Sequence, residues 1–542
     1  PQTINAAGNA GFFDVATGQM RVVGVGDVGL DGNIKNSINL APRLGITYQL
    51  NEKTVVRMGY GRSYDIGVFG STFGHSVTQN LPVLARQTLN APANFERVFT
   101  LAQGPPAPVF PQADSSGRFQ APDGVNPSVM PEKMRLPYVD AYNLTVQREL
   151  SPDLSAEIAY VGNKGTHVFN GDGPDTNFNQ PTIVGFPNVS RDLRRPFFRG
   201  PVGGFGGDFG LTTDMRYLCN CADNTYNSLQ TKLTKRFTGG YSVLASYTLQ
   251  SIKNHGPDQY FFDRDLEYGA PEWARTHNFT LATNIELPFG RGKRFASDAS
   301  KAMDYVVGGW QLNANVYVAS GLHLNADYRD AGQDRDAGPN RPNVIGDITE
   351  GGGTTPIGTP GSAFSRPAVG TFGDMERGSL IGPGFWNVDA SLFKRFRFSD
   401  RTNVELRLEA QNVFNHVALG NPDANLGVPG NDNPNAGRIT GTAPNWQARN
   451  LQFGLRLSFL SADARRRRQG GRPPCRRRPR VRASRGRATP RRDPSTSPAR
   501  RRSSSRSRPG WRCSRSGFRP RRPTRGAPRR TSPGSFRAPR TP

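Results

Sequence analysis

The last orderly stretch of the chain, RNLQFGLRLSF, alternates strictly: Leu451, Phe453, Leu455, Leu457 and Phe459 against Gln452, Gly454, Arg456 and Ser458. Successive side chains on a strand point to opposite faces, so this segment has one apolar and one polar face. The pattern recurs upstream in pairs. Leu44, Ile46, Tyr48 and Leu50 alternate with Arg43, Gly45, Thr47 and Gln49, and a turn at 51–53 leads into Val56, Met58 and Tyr60. Tyr142, Leu144, Val146 and Leu150 are followed by an SPD turn at 151–153 and by Leu154, Ala156, Ile158 and Tyr160. Leu229, Leu233 and Phe237 turn at 239–240 into Tyr241, Val243, Ala245, Tyr247 and Leu249. Phe279, Leu281, Ile285 and Leu287 mark another strand, and Trp310, Leu312, Val316 and Val318 the next, with a short helix expected between them at ASDASKAMDY. Trp386, Val388, Ala390 and Leu392 turn at 399–401 into Val404, Leu406, Leu408 and Ala410.

These segments amount to about twelve strands, mostly of ten to fourteen residues, against roughly 9–11 needed to cross a bilayer obliquely. Alternation alone also fits a soluble β-sandwich. Two features favour the membrane. Connections are mostly short on one side and long, rich in Gly, Asn, Asp and Pro, on the other, as in outer-membrane barrels. Aromatic residues recur at strand ends, namely Tyr64, Tyr138, Tyr241, Trp310 and Trp386, as an interfacial girdle requires. The fold class expected is all-β: an antiparallel transmembrane outer-membrane β-barrel, present in part, followed by a disordered C-terminal tail. With the short turns in the periplasm, Phe459 also ends there.

Charge sharpens the boundary. The chain of 542 residues carries a formal +27. Residues 461–542 hold 29 Arg, no Lys and two acids, Asp463 and Asp493, so residues 1–460 are neutral. The tail is Arg, Pro, Ser, Gly, Thr and Ala with almost no apolar content, and it is expected to be disordered. SSSRSR and RPPCRRRPR would attract RNA electrostatically, but the absence of Lys and the GC-rich codons of Arg, Pro, Gly and Ala point instead to a shifted reading frame just after Phe459. No nucleic-acid partner is expected. The chain opens on PQTINAAGNAG, without the basic and apolar regions of a signal peptide, and contains no apolar run of about 18 residues.

In this order, the segments resemble the barrel of TonB-dependent outer-membrane transporters, specifically the Oar-like group. The resemblance covers roughly residues 38–459 and rests on five stretches. They are APRLGITYQL with TVVRMGYGRSYD, PYVDAYNLTVQRELSPDLSAEIAYVGNKGTH, NTYNSLQTKLTKRFTGGYSVLASYTLQ, WNVDASLFKRFRFSDRTNVELRLEAQNVFNH and RNLQFGLRLSF. It implies a barrel of about 22 strands closed by an N-terminal plug, with a TonB box and a regulatory-like β-sandwich ahead of it. None of those N-terminal parts is legible here, so residues 1–460 are expected to be the C-terminal portion of such a barrel. TonB would then act only through that missing region. Gln452, Gly454, Leu457 and Phe459 match the ending that the barrel-assembly machinery reads in the family. Outer-membrane lipid and an extracellular ligand are the remaining expected partners. The polar alternates Gln230, Asn313, Asn315, Asp389, Arg407 and Glu409 are the lumen-facing candidates. The alternative function is a non-transport surface barrel or adhesin binding by its long loops. A soluble basic nucleic-acid-binding protein is the third reading.

Other motifs add little. GVGDVG at 24–29 spells GxGxxG, but a nucleotide fingerprint needs a following helix, and LDGNIKNSINLAPR is none. The histidines His75, His167, His255, His277, His323 and His416 show no HxxxH or HExxH spacing, so no metal or other cofactor is expected. Cys219 and Cys221 form a CNC pair in a polar loop, and Cys475 and Cys513 lie in the tail. DYRDAGQDRDAG, with Asp327, Asp330, Asp334 and Asp336, and GNPDANLGVPGNDNPNAG, with Asp423 and Asp432, offer oxygens but lack the EF-hand pattern. Solvated turns are the default reading for them. No nucleophile elbow or carboxylate pair supports catalysis, so the chain is not expected to be an enzyme.

Overall fold

In the computed structural model the alternating segments join one antiparallel sheet. The structure describes residues 8, 10–30, 38–65, 80–83, 97–105, 111–129, 135–169, 176–217, 220–256, 260–328, 335–348, 363–399, 402–428 and 431–459. The chain divides into two units, 1–469 and 470–542, and the described residues all lie in the first. The tail expectation therefore falls outside the described residues.

Eleven long strands follow one another across the sheet in chain order: β1 (Arg43–Asn51), β2 (Thr54–Tyr64), β3 (Tyr138–Ser151), β4 (Leu154–Val168), β5 (Ala222–Thr238), β6 (Tyr241–His255), β7 (His277–Glu286), β8 (Trp310–Ala319), β9 (Phe385–Arg397), β10 (Thr402–Gln411) and β11 (Asn450–Phe459). The two-residue strand Tyr268–Gly269 joins β6 as a twelfth. Val, Leu, Tyr and Thr recur in these segments, and proline, which cannot donate to a ladder, is absent from all eleven.

Register converts local alternation into two continuous faces. On one, Ile46, Met58, Leu144, Tyr160, Leu229 and Leu249 lie opposite one another from β1 to β6. Farther along, Ile285, Leu312, Leu392, Leu408 and Phe453 do the same from β7 to β11. On the other face Asn284, Asn313, Ser391, Glu409 and Gln452 form one row. The apolar face is not a buried core: Leu144, Ile158, Leu229 and Phe453 stay exposed, Phe453 at 78 %. An exposed apolar surface spanning eleven strands far exceeds what a water-soluble monomer tolerates. A ten-residue strand is about 33 Å long and spans roughly 25 Å at a tilt of ~40°, the height of a barrel's lipid-facing band. Tyr64, Tyr138 and Trp386 border that face at one end, and Tyr241 and Trp310 at the other. Above the band Tyr60 donates to Asp140 at 2.7 Å, and Tyr142 and Tyr160 both donate to Asn227, at 2.9 and 2.8 Å. Ring below and hydroxyl above is the arrangement an interface favours.

The connections segregate by end. Two-residue breaks join β1 to β2, β3 to β4 and β5 to β6. The β9–β10 turn lies at the same end, with 400–401 outside the described residues. The β7–β8 connection at this end is longer and holds helix α1 (Lys301–Val307), where the sequence placed one; Ser300 caps it by accepting from the Met303 amide at 3.2 Å. The other five connections, all long, lie at the opposite end. Gly24 and Gly26 turn with positive φ, and the described residues directly after GVGDVG hold no helix; residues 31–37 lie outside the described residues.

At the β3–β4 turn, Asp153 accepts from Lys235, from Ser151 at 2.6 Å and from Thr238. The bond from Lys235, reinforced by the two hydroxyls, holds its carboxyl well below the usual carboxylate range. A depressed folded-state pKa stabilises above the unfolded value of about 3.9 and is lost as pH falls through the folded one. Asp153→Asn should therefore lower the stability of this turn at neutral pH and abolish its weakening below about pH 4, read by amide exchange against pH. The sheet predicts a second, sharper result. Val316→Arg, at mid-strand on the apolar face, should cost about 2–4 kcal/mol in bilayer unfolding titrations, while Asn315→Arg on the polar face should cost far less. Equal costs would contradict the assignment of faces.

Candidate functional site

The polar face is organised by side chains that satisfy one another across strands. In β8, Gln311 donates to Asn313 at 2.8 Å, and Asn313 donates to Ser391 of β9 at 3.2 Å. Asn315 lies opposite Asp389, whose carboxylate accepts from Asn387 at 2.9 Å and from the Asn412 amide at 2.9 Å. Toward the short-turn end Glu405 sits between two guanidinium groups, Arg395 at 2.9 Å and Arg407 at 2.6 Å. Arg407 also lies over the Phe393 ring, 4.8 Å from its centroid. Glu409 faces Gln452 in register. On β5, Gln230 donates to Ser228 at 3.1 Å and to Tyr226 at 3.3 Å. Thus all six lumen-facing candidates occupy one face. They are split into an amide and carboxylate row in the middle and an Arg–Glu–Arg ladder near the turns, with Gln230 apart on β5.

The ending motif splits by parity. Gln452 and Gly454 lie on the polar face, and Leu457 and Phe459 on the apolar one. Gly454 opposes Arg407, and a Cβ there would meet the Arg407 side chain at 3.5 Å, an ordinary contact. Phe459 is opposite Thr402, at the short-turn end.

The long connections carry structure that the sequence reading left as loops. Phe13, Phe119, Phe178 and Phe197, from three separate stretches, bury together with Met20, Leu211 and Met215. Phe178 lies 5.5 Å from Phe197, 4.7 Å from Phe205 and 5.0 Å from Phe261 between ring centroids. Asn179, fully buried, donates to the carbonyls of Leu211 and Thr213 at 2.8 and 2.9 Å and accepts from the Phe197 amide at 3.0 Å. A second cluster joins Ile183, Tyr260 and Ala337, and a third gathers Tyr328, Phe364, Met375 and Leu426. Between these clusters lies a buried ion pair, Glu267 with Arg341 at 2.6 Å; Arg377 approaches the same carboxylate at 3.9 Å and donates to the Asn254 carbonyl at the top of β6. The loops form a folded cap tied to the strand ends.

The two acid-rich loops meet: the Asp327 amide donates to the Ala424 carbonyl at 3.0 Å, and the Leu426 amide to that of Asp327 at 2.8 Å. Asp423 accepts from Asn433 at 2.9 Å, and Asp336 pairs with Arg191 at 3.2 Å. Asp330, Asp334 and the Asp432 side chain lie outside the described residues, as does His75. Among the described residues no three metal-ligating side chains gather. His255, His277 and His323 stand at strand ends bonded to Asp223, Tyr247 and the Gly378 carbonyl, and His416 stacks on Trp386 at 3.9 Å. Cys221 is disulfide-bonded; the nearby Cys219 lies outside the described residues.

A family model described as outer membrane beta barrel domain matches residues 1–452. The chain belongs to the outer membrane beta barrel domain family. Its apolar face is thereby the lipid face, and its place is the outer membrane. Among solved structures the barrel domain is similar to the ferripyoverdine receptor of Pseudomonas aeruginosa, at 10% identity and a TM-score of 0.35, over 82% of this chain and 35% of that one. It is similar to the iron transporter FrpB of Neisseria meningitidis, at 10% identity and 0.34, over 82% and 42%. The siderophore receptor PirA of Acinetobacter baumannii follows at 11% and 0.34, over 78% and 41%. The chain thus spans between a third and about two fifths of the length of these structures. No curated protein sequence matches it.

Removing one partner of a buried ion pair costs about 3–5 kcal/mol, because the other charge is left unpaired. In this barrel domain Glu267→Ala should therefore loosen the cap without unfolding the sheet. The expected outcome is faster proteolysis and amide exchange in 260–275 and 335–348, with heat-modified gel mobility unchanged. Protection unaltered in both segments would remove the ion pair from the account of the cap.

Proposed function

We propose that this barrel domain is the C-terminal part of a TonB-dependent transporter of the Oar-like group. The observation that carries the reading is the pairing of a polar, charge-bearing inner face with a folded cap at the long-loop end. A passive structural barrel has no need of an ion-paired, Phe-cored cap. In this reading the cap receives an extracellular ligand, and the ligand then passes along Asn313, Asn315, Asp389, Arg407 and Glu409, with Gln230 on the same face three strands away. The energy comes from TonB, engaged through an N-terminal plug-bearing region of the whole protein. Gln452, Gly454, Leu457 and Phe459 supply the signal for the barrel-assembly machinery. The residue pattern supports this, since those four positions put a polar, a small, an apolar and an aromatic side chain on one exposed edge strand. A surface barrel or adhesin is the second reading, and the folded cap favours it equally.

Energised uptake separates the two. Cells with and without the intact gene would be offered ferric siderophores, oligosaccharides and oligopeptides, each with and without a protonophore. A transporter should show gene-dependent uptake of one class, abolished by the protonophore. Surface binding that depends on the gene, with no uptake of any class, would replace transport by adhesion.

A further inference from the structure

The short-turn end of the polar face holds a groove that neither the cap nor the mid-strand amide row explains. Its floor is laid by register. Glu286, Gln311 and Phe393 form one row from β7 to β9, and Arg395 lies on the same face one step nearer the turns, opposite Glu405. Its side wall is the 287–309 connection. The groove measures about 450 Å³, within the ~300–1,000 Å³ of small-molecule sites.

The wall is fastened to the sheet by contacts that leave its cations unused. Lys394 of β9 lies on the lipid face, opposite Trp310 and Leu406. A cation there is costly unless it is covered or reaches the interface. Its ammonium, almost fully buried, donates to the Val306 carbonyl at 3.1 Å and to that of Gly308, at the C-terminus of α1, where carbonyls favour a cation. Trp310 donates its indole N–H to the same Val306 carbonyl at 2.9 Å. The Arg395 amide donates to the Gly309 carbonyl at 2.9 Å, and the Leu287 amide to that of Trp310 at 2.9 Å. The backbones approach so closely that a Cβ on Gly309, with φ +70°, would come within 2.5 Å of the Arg395 carbonyl oxygen. None of these bonds uses a side-chain charge that lines the groove, so the site is held in shape before anything binds, which lowers the ordering cost of binding.

Five cations line the groove, Arg291, Lys293, Lys301, Arg395 and Arg397, against the carboxylates of Glu286 and Asp304. Lys293 is matched by Glu286 at 2.9 Å, and Arg395 by Glu405 at 2.9 Å. Glu405 is already shared with Arg407 and has Arg456 opposite. Asp304 accepts from the Arg291 backbone amide at 2.7 Å. Among the described residues Arg291, Lys301 and Arg397 form no ion pair. The excess is local: higher on the same face, β8 to β11 carry amides, Asp389 and Glu409 and no cation. A concave surface of one sign concentrates ions of the other.

We propose that this groove binds a small organic anion carrying two or more carboxylate or phosphate groups. Cations come from both walls, Arg291 and Lys301 from the connection and Arg397 from β9, so a single anionic group would leave one wall unmatched. Guanidinium groups suit carboxylate and phosphate oxygens because they can bond them in pairs. The polar face is turned away from lipid, which removes a membrane headgroup as occupant. The role of this anion as the permeant, held at its last site in the lumen, rests on the transport reading above; its binding does not.

The test uses the full chain in detergent micelles, with citrate and pyrophosphate as probes and trehalose as the uncharged control. Amide exchange is read in 287–311 and 391–399, so anions gathered by the Arg-rich residues 461–542 do not register. At least one of the two anions should slow exchange in both segments, trehalose in neither, and the difference between citrate and pyrophosphate tells carboxylate from phosphate. The triple variant Arg291→Gln, Lys301→Gln, Arg397→Gln should need about tenfold more anion or greater for the same protection, with heat-modified mobility unchanged. Arg291→Lys with Arg397→Lys, which keeps the charge, should stay closer to the unaltered chain. No protection by either anion would overturn the proposal. So would equal protection in the triple variant, or protection by an acidic decapeptide alone, which would make the groove a protein-docking surface. Protection by anion without energised uptake of any class would sink transport and leave the anion site standing; energised uptake confined to uncharged substrates would keep transport and overturn the anion as permeant.

Discussion

Backbone hydrogen bonding in a solvent that offers none governs this structure. In hydrocarbon each unpaired amide or carbonyl costs several kcal/mol, so every strand must be laddered to a neighbour on both sides. That requirement fixes register, and register fixes faces. A slip of one residue at any of the ten interfaces would turn a row such as Leu281, Val316 and Val388 toward the polar side and expose Asn284 or Asn315 to lipid. The regular alternation of the chain is therefore a property of the whole sheet more than of any single strand. The register shifts fall near strand ends, at Gln49–Asn51, Glu149–Ser151, Ala222–Asn224 and Lys235–Thr238, where water or headgroups can satisfy a displaced group.

The same constraint explains the division of labour between the ends. Inside the band, stability comes from the ladder and from lipid around the apolar face, so almost no side chain there needs burial within the protein. Beyond the band water returns, and long connections must either remain solvated or build a core of their own. This chain does the latter, with the Phe178–Phe197 cluster and the Glu267–Arg341 pair. At the short-turn end there is too little chain for a core, and α1 solves a different problem by shielding Lys394.

How much of this was legible follows from the range of the signal. The period-2 pattern is local, so strands such as Leu229 to Phe237 or Leu451 to Phe459 could be read residue by residue, together with their turns and the sharing of one face by Asn313, Asp389 and Glu409. The helix was placed as well, at ASDASKAMDY, which overlaps α1 over 301–305. The cap was not. Phe178 and Phe197 are nineteen positions apart among Gly and Pro, with no period, and they pack with Phe13 from a distant stretch. Glu267 meets Arg341 across 74 positions, and no local rule marks either as buried. An unusual number of Phe residues outside strands was the one available hint. Lys394 breaks the apolar alternation of β9, and its contact with the Val306 carbonyl explains it.

Parity has one more consequence. Among the described residues β1 and β11 border the sheet, and each pairs on one side only. Both run from the long-loop end to the short-turn end, because an odd number of antiparallel strands separates the first direction from the last without reversing it. Joining β11 directly to β1 would set two parallel strands side by side, against the antiparallel order of the other ten interfaces. It would also close eleven strands, where single-chain bacterial barrels close on even numbers. An odd number of further strands removes both objections, and two edges of about ten residues exposed to lipid are too costly to remain open. Set in an even, closed wall, these eleven strands would be one arc, and the polar face they share would line its lumen.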